Sequence, residues 1–299
     1  MRTRATVAAL SGALALSALA VPASHAADRG DIAQLTRSLA SSVQSSAAAT
    51  ASTAPSAASK GSLAAAKAAD TAPQITKVVV NGGKPVVLGV KTTQKISLAI
   101  TATDDSGIGG AAGFLWTGGK TMDDATNVAV SEADDLKCKV VNATTTTCTH
   151  TVTVRSKYLL NNEAKTWNAY AVAIANDDGD LTKEKAGTAK FQRASQLTVS
   201  ATPKPVKKGK TLTVTGKLSR ANWETGKNAG YASQSVKLQF RKKGTDTYTT
   251  IKTVKGSSTG TLKTTTTKTT AEGYWRWSFA GTASTPAVSA PGTLVKITK

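Results

Sequence analysis

Past residue 74 the chain is written in strand code. In Lys95–Thr103, Ile96, Leu98 and Ile100 fall on one face, and Ser97, Ala99 and Thr101 on the other. A period of two of this kind predicts a half-buried β-strand. Asp104-Asp105-Ser106-Gly107 then supplies turn chemistry. Trp167–Ala175 alternates again and closes on Asn176-Asp177-Asp178-Gly179-Asp180. Further on, Leu212-Val214, Val236-Leu238-Phe240 and Trp275-Trp277-Phe279 repeat the pattern, and Leu294–Ile297 ends it. Strand signals every 10–15 residues or so, with almost no helical periodicity, predict an all-β protein built as β-sandwiches. A short strand before Lys84-Pro85-Val86 and another before Lys204-Pro205-Val206 suggest that one unit occurs twice.

The first 74 residues read differently. Arg2 and Arg4 precede an apolar run from Ala5 to Val21, Pro22 ends it, and Ser24-His25-Ala26 fits a small-x-small cleavage site. Residues 1–26 therefore read as a secretory signal peptide. A membrane span is the competing reading, but a run of 17 or so small apolar residues falls short of the roughly 20 that a span needs. Between Ala40 and Pro73, 25 of 34 residues are Ala, Ser or Thr. Such a stretch has little apolar surface to offset chain entropy, so 27–74 is expected to be a flexible linker. Ile32, Leu35, Leu39 and Val43 could form a short helix at 30–45, and cleavage of the segment as a propeptide is an open alternative. The expected division is then signal peptide, linker, a sandwich at 75–194 and a second at 195–299.

Cysteine use agrees with export. Cys138 and Cys148 are the only two, and they flank a Thr-rich centre that reads as a hairpin tip. A bridge here would be a structural staple, because the spacing is not Cys-x-x-Cys.

Four segments resemble bacterial immunoglobulin-like domains of secreted actinobacterial proteins. In the first unit they are the corner Thr103–Ile108 and the strand ending Ala173–Asp180; in the second, Lys208–Gly216 and Gly273–Gly281. The resemblance implies two immunoglobulin-like sandwiches in a secreted, non-catalytic protein of an uncharacterised family. It does not imply a ligand.

Candidate chemistry is sparse. After removal of a signal peptide only His150 remains of two histidines, and Thr149-His150-Thr151 reads as an exposed strand position. Zinc chemistry, phosphate loops and triads find no support, so no cofactor is expected apart from calcium. Asp104, Asp105, Asp177, Asp178 and Asp180 cluster in turns and are the calcium candidates. Trp275, Trp277 and Phe279 share a face expected to be core. Trp223 and Tyr231 sit among Gly and Asn, where exposure would suit sugar contact.

Charge changes the picture most. The chain carries +20, with 38 Lys and Arg against 18 Asp and Glu. Residues 196–299 hold 18 Lys and Arg against three acids, whereas 75–195 hold 14 against 12. Lys204, Lys207, Lys208 and Lys210, with Arg241, Lys242 and Lys243, form the densest runs and are the anion-binding candidates. For an exported protein their expected partner is an anionic cell-wall polymer or polysaccharide, not a specific nucleic acid. The expected function is a secreted or wall-associated binding or structural module. A calcium-dependent adhesion module and a carbohydrate-active enzyme or its accessory are the alternatives. Oligomeric state is not legible.

Overall fold

A computed structural model describes residues 71–131 and 136–299. The expected signal peptide and the expected helix at 30–45 lie outside the described residues. The first sandwich comprises β1 (Gln74–Val80), β2 (Val86–Leu88), β3 (Thr93–Thr103), β4 (Ile108–Gly118), β5 (Ala125–Ala129), β6 (Lys137–Asn142), β7 (Thr145–Arg155), β8 (Thr166–Ala175) and β9 (Asp180–Arg193). One sheet runs β1-β3-β7-β6 and the other β2-β9-β8-β4-β5. This is the immunoglobulin pairing order: four strands in the A-B-E-D sequence face a sheet in the G-F-C-C′ sequence. The alternation read in the sequence decides which side of each strand faces in. Ile96, Leu98 and Ile100 of β3 are fully buried, and across the register they meet Val152, His150 and Cys148 of β7.

The second sandwich contains β10 (Ser195–Leu197), β11 (Ser200–Thr202), β12 (Val206–Lys207), β13 (Leu212–Asn222), β14 (Lys227–Gly230) and β15 (Ser235–Lys242). It continues with β16 (Thr249–Lys255), β17 (Thr261–Thr266), β18 (Gly273–Phe279), β19 (Val288–Ser289), β20 (Thr293–Val295) and β21 (Ile297–Thr298). Strand β13 pairs with β10, β11, β14 and β17, and faces a sheet ordered β16-β15-β18-β19 with β20 also on β18. Trp275, Trp277 and Phe279 point inward into its core, as their spacing predicts. Gly216 lets Trp277 approach the backbone: a Cβ there would meet the indole at 2.6 Å. The indole N–H donates to Thr215 O at 3.0 Å.

The suspected repeat has a topological counterpart. In each sandwich a short strand after a Lys-Pro step pairs parallel with a late strand: β2 with β9, and β12 with β21.

Two expectations need correction. Strand β8, whose sequence alternates, does not alternate between core and solvent; it and its neighbour β4 are buried almost throughout. Their outer faces carry a second apolar cluster of Phe114, Trp116, Tyr170 and Ile174. The segment after β4 folds back over this face and plants Met122 in it. A sheet covered on both sides needs apolar residues at every position, as a continuous run supplies. His150 is the second correction. It lies on the inner face of β7, 3% exposed, with Nε2 2.8 Å from Gly113 O on the opposite sheet. Its neighbours Thr149 and Thr151 say nothing of its surroundings, because in a period-two strand they lie on the other face.

Among the described residues no helix is long and apolar enough to cross a membrane.

Candidate functional site

Three places bring chemistry-bearing residues together: the tip of each sandwich and the junction between them. Strand β9 ends at Arg193, whose Nε donates to Ala221 O at 2.5 Å. Burial, and then the nearby Arg220, lower its pKa to about 10. Ala194 N donates to Leu88 O at 2.9 Å and Ala221 N to Ala194 O at 2.8 Å, so backbone ladders run directly from one sandwich into the next. From the β13–β14 turn, Trp223 inserts into the core of the first sandwich. It is 3% exposed, and its Nε1 donates to Leu88 O at 3.1 Å. Asn161 accepts from Trp223 N at 3.0 Å and donates to Glu224 Oε2 at 2.6 Å.

This corrects the sugar-contact candidates. Trp223 is an interdomain plug, shielded from any polysaccharide. Glycine and asparagine around it mark a tight turn that another domain covers, a situation that local composition does not distinguish from exposure. Tyr231 is half-buried beside the junction. Its ring lies 3.8 Å from the Arg220 guanidinium and meets Phe279 edge-on at 5.8 Å. Burial pushes its phenol up, but the Thr282 hydroxyl and Arg220 outweigh that and bring its pKa below the ordinary value.

The tip of the second sandwich gathers the basic runs. Strand β13 starts at this tip and ends at the junction, so the two lie at opposite ends of the domain. Lys208 N donates to Thr298 O at 2.9 Å and Gly209 N to Thr269 O at 3.0 Å. Lys243 N donates to Glu272 O, also at 3.0 Å, so residues 269–272 bridge the two runs. Lys207, Lys208, Lys210 and Lys242 are exposed, and pair with none of the acids among the described residues. Lys268 and Lys296, which the sequence reading passed over, join them through neighbouring backbone. Three candidates are already engaged. Lys243 pairs with Glu272 at 3.0 Å, Arg241 with Asp246 at 3.7 Å, and Lys204 Nζ donates to Thr293 Oγ1 at 2.5 Å.

Next to this tip, the outer face of β15 and β18 presents a platform that the sequence reading also missed. Arg276 stacks on Tyr248 at 3.6 Å, and Arg241 lies 4.4 Å from the Tyr274 ring. Tyr274 and Arg276 alternate with the buried Trp275 and Trp277, so the spacing alone assigns them to the opposite face.

At the far tip of the first sandwich, one carboxylate oxygen each from Asp104, Asp105 and Asp177 lies within 4.8 Å of the others. Asp178 and Asp180 are not in this group. Asp178 takes the left-handed conformation of the turn, φ 70°, and Asp180 opens β9 with its side chain exposed. The Cys138–Cys148 disulfide joins directly opposed residues of β6 and β7. A shallow depression of about 580 Å³ opens beside it, lined by Lys137, Lys139, Val140, Val141, Thr147 and Thr149. None of those side chains forms an acid–base pair.

The fold and these sites define an all-β protein of two immunoglobulin-type sandwiches. Residues 89–173, the middle of the first sandwich, match a family of unknown function, DUF5707. No curated protein matches the chain. Among solved structures, the Yersinia pseudotuberculosis adhesin InvE aligns at 12% identity and a TM-score of 0.23, over 73% of this chain and 58% of that one. The chain therefore spans less than two thirds of that adhesin. An amphioxus IgVJ-C2 molecule aligns at 11% identity and a TM-score of 0.24, over 71% and 99% of the two chains. The mouse nectin-like molecule 4 ectodomain gives 11%, 0.22, 75% and 65% for the same quantities.

Proposed function

We propose that this protein is an extracellular, non-catalytic binding module whose second sandwich holds an anionic polymer, such as a wall phosphopolymer or an acidic polysaccharide. The observation that carries this reading is the meeting of two basic runs, some 35 residues apart in sequence, at one tip, where Lys207, Lys208, Lys210 and Lys242 pair with no acid among the described residues. Lysines presented this way attract polyanions with little sequence preference and strong dependence on salt. The adjacent guanidinium–phenol platform could add stacking on sugar rings. The disulfide supports an oxidising compartment.

Salt-gradient elution from isolated wall and from immobilised heparin tests it. Full-length protein is expected to be held at low salt and released steeply as salt rises. The variant K207Q/K208Q/K210Q/K242Q is expected to elute at roughly half the salt concentration. A control, K137Q/K139Q/K157Q/K165Q, loses the same charge from the first sandwich and should elute close to the parent. Flat retention, or equal loss in both variants, rejects the tip as the binding address.

A further inference from the structure

We propose that Asp104, Asp105 and Asp177 form a calcium site that fastens the far tip of the first sandwich. Proximity of three acids would not by itself make a site. Asp104 is a buried side chain, only 6% exposed. Its Oδ1 accepts from Ser106 N at 2.9 Å and from Ser106 Oγ at 2.7 Å. Its other oxygen, Oδ2, is buried and has no hydrogen-bond partner. A buried carboxylate oxygen without a donor costs free energy that something must offset. Among the described residues no lysine or arginine pairs with Asp104 or Asp105.

A hard divalent cation meets that need. Oxygens bound to one calcium at about 2.3–2.6 Å lie no more than about 5 Å apart. One oxygen from each of the three aspartates already falls within 4.8 Å of the rest. The framework is set without the ion. Asp104 N donates to Thr144 O at 2.9 Å, and Asn176 Nδ2 to Ser106 O at 2.9 Å. Gly107, at φ 87°, lets the corner pack against Asn176, because a Cβ there would lie 2.8 Å from Asn176 Nδ2. Water would complete the coordination on the exposed side, where Asp105 and Asp177 lie. Asp105 also accepts from Thr71 Oγ1 at 2.7 Å, so a cation here would tie the segment before β1 to the β3–β4 corner and the β8–β9 turn.

The proposal is independent of polymer binding at the opposite end, and either can fail alone. Calcium chloride is titrated into the calcium-depleted full chain by calorimetry, with magnesium as comparison. One site per chain is expected, with a dissociation constant on the order of 0.1–1 mM, in the range of extracellular modules. At 10 mM calcium the thermal midpoint should rise by about 3 °C or more. D104N keeps an oxygen for Ser106 but removes charge, and D104N/D177N should abolish both heat and shift. If those variants do not fold, hydrogen exchange of the parent protein decides. Calcium should slow exchange in 103–108 and 175–180 and leave the second sandwich unchanged. No heat and no shift in the parent protein, a full response in D104N/D177N, or protection confined to other segments would each overturn the site.

Discussion

Glu163 shows how burial sets the chemistry of a single side chain here. It is 3% exposed, accepting from Leu160 N at 2.8 Å and from Asn127 Nδ2 at 3.0 Å. Burial raises its pKa, only partly offset by those two donors and by Lys165. The folded side chain therefore keeps its proton to a higher pH than the unfolded one. Between the two values the folded state binds more protons, so this residue's contribution is full below the unfolded pKa and is lost as pH rises through the folded one. E163Q, which keeps an acceptor and drops the charge, is expected to raise the thermal midpoint by ~1–3 °C at pH 7 and to change little at pH 4. Paired melts at the two pH values check this, and a loss of stability at pH 7 would contradict it. Nothing in Asn161-Asn162-Glu163 distinguishes this carboxylate from a solvated one. Its distant partner is Asn127 of β5, 36 residues earlier in the chain.

Among the elements, the β6–β7 hairpin depends most on a covalent link. All six residues of β6 are exposed, and β6 forms the edge of its sheet. Val140 and Val141 are 69% and 60% exposed, an apolar edge flanked by Lys137 and Lys139. Charges next to such an edge discourage pairing with another chain. With few packing contacts, β6 is held by its ladder to β7 and by the disulfide. In the chain-entropy account, closing a loop of this length contributes about 3 kcal/mol. C138S/C148S is therefore expected to lower unfolding free energy by about 2–3 kcal/mol in urea melts, and to speed amide exchange in β6 first. Unchanged stability would mean that the hairpin is held by its ladder alone. The hairpin and its bridge were legible in the sequence, because both are local. The double-sided burial of β4 and β8 was not, because it depends on a cover supplied by the segment after β4.

At the scale of the molecule, the two sandwiches share a core boundary. Trp223 is the clearest coupling residue, since it belongs to the second chain segment and packs in the first core. W223A should leave a cavity and remove one of the two donors to Leu88 O, at a cost of about 3–5 kcal/mol. Calorimetry is expected to show one transition in the parent protein splitting into two in the variant, as the domains lose cooperativity. A single, unshifted transition would show that the backbone ladders through Ala194 and Ala221 are sufficient without the indole. This junction separates the carboxylate tip from the lysine tip, so opposite chemistries sit at opposite ends.

Period-two alternation and turn residues determined by themselves that the residues past 74 are all-β, which faces of β3, β13, β15 and β18 are core, and that the two cysteines staple a hairpin. Composition further assigned the excess positive charge to residues 196–299. These properties follow from side chains a few positions apart, whose relation is fixed once a strand forms. Only the tertiary structure decided that His150 and Trp223 are buried, that three of five candidate aspartates converge, and that two basic runs share one tip. Each of those results depends on residues tens of positions apart, and nothing local encodes which strand will lie across from which.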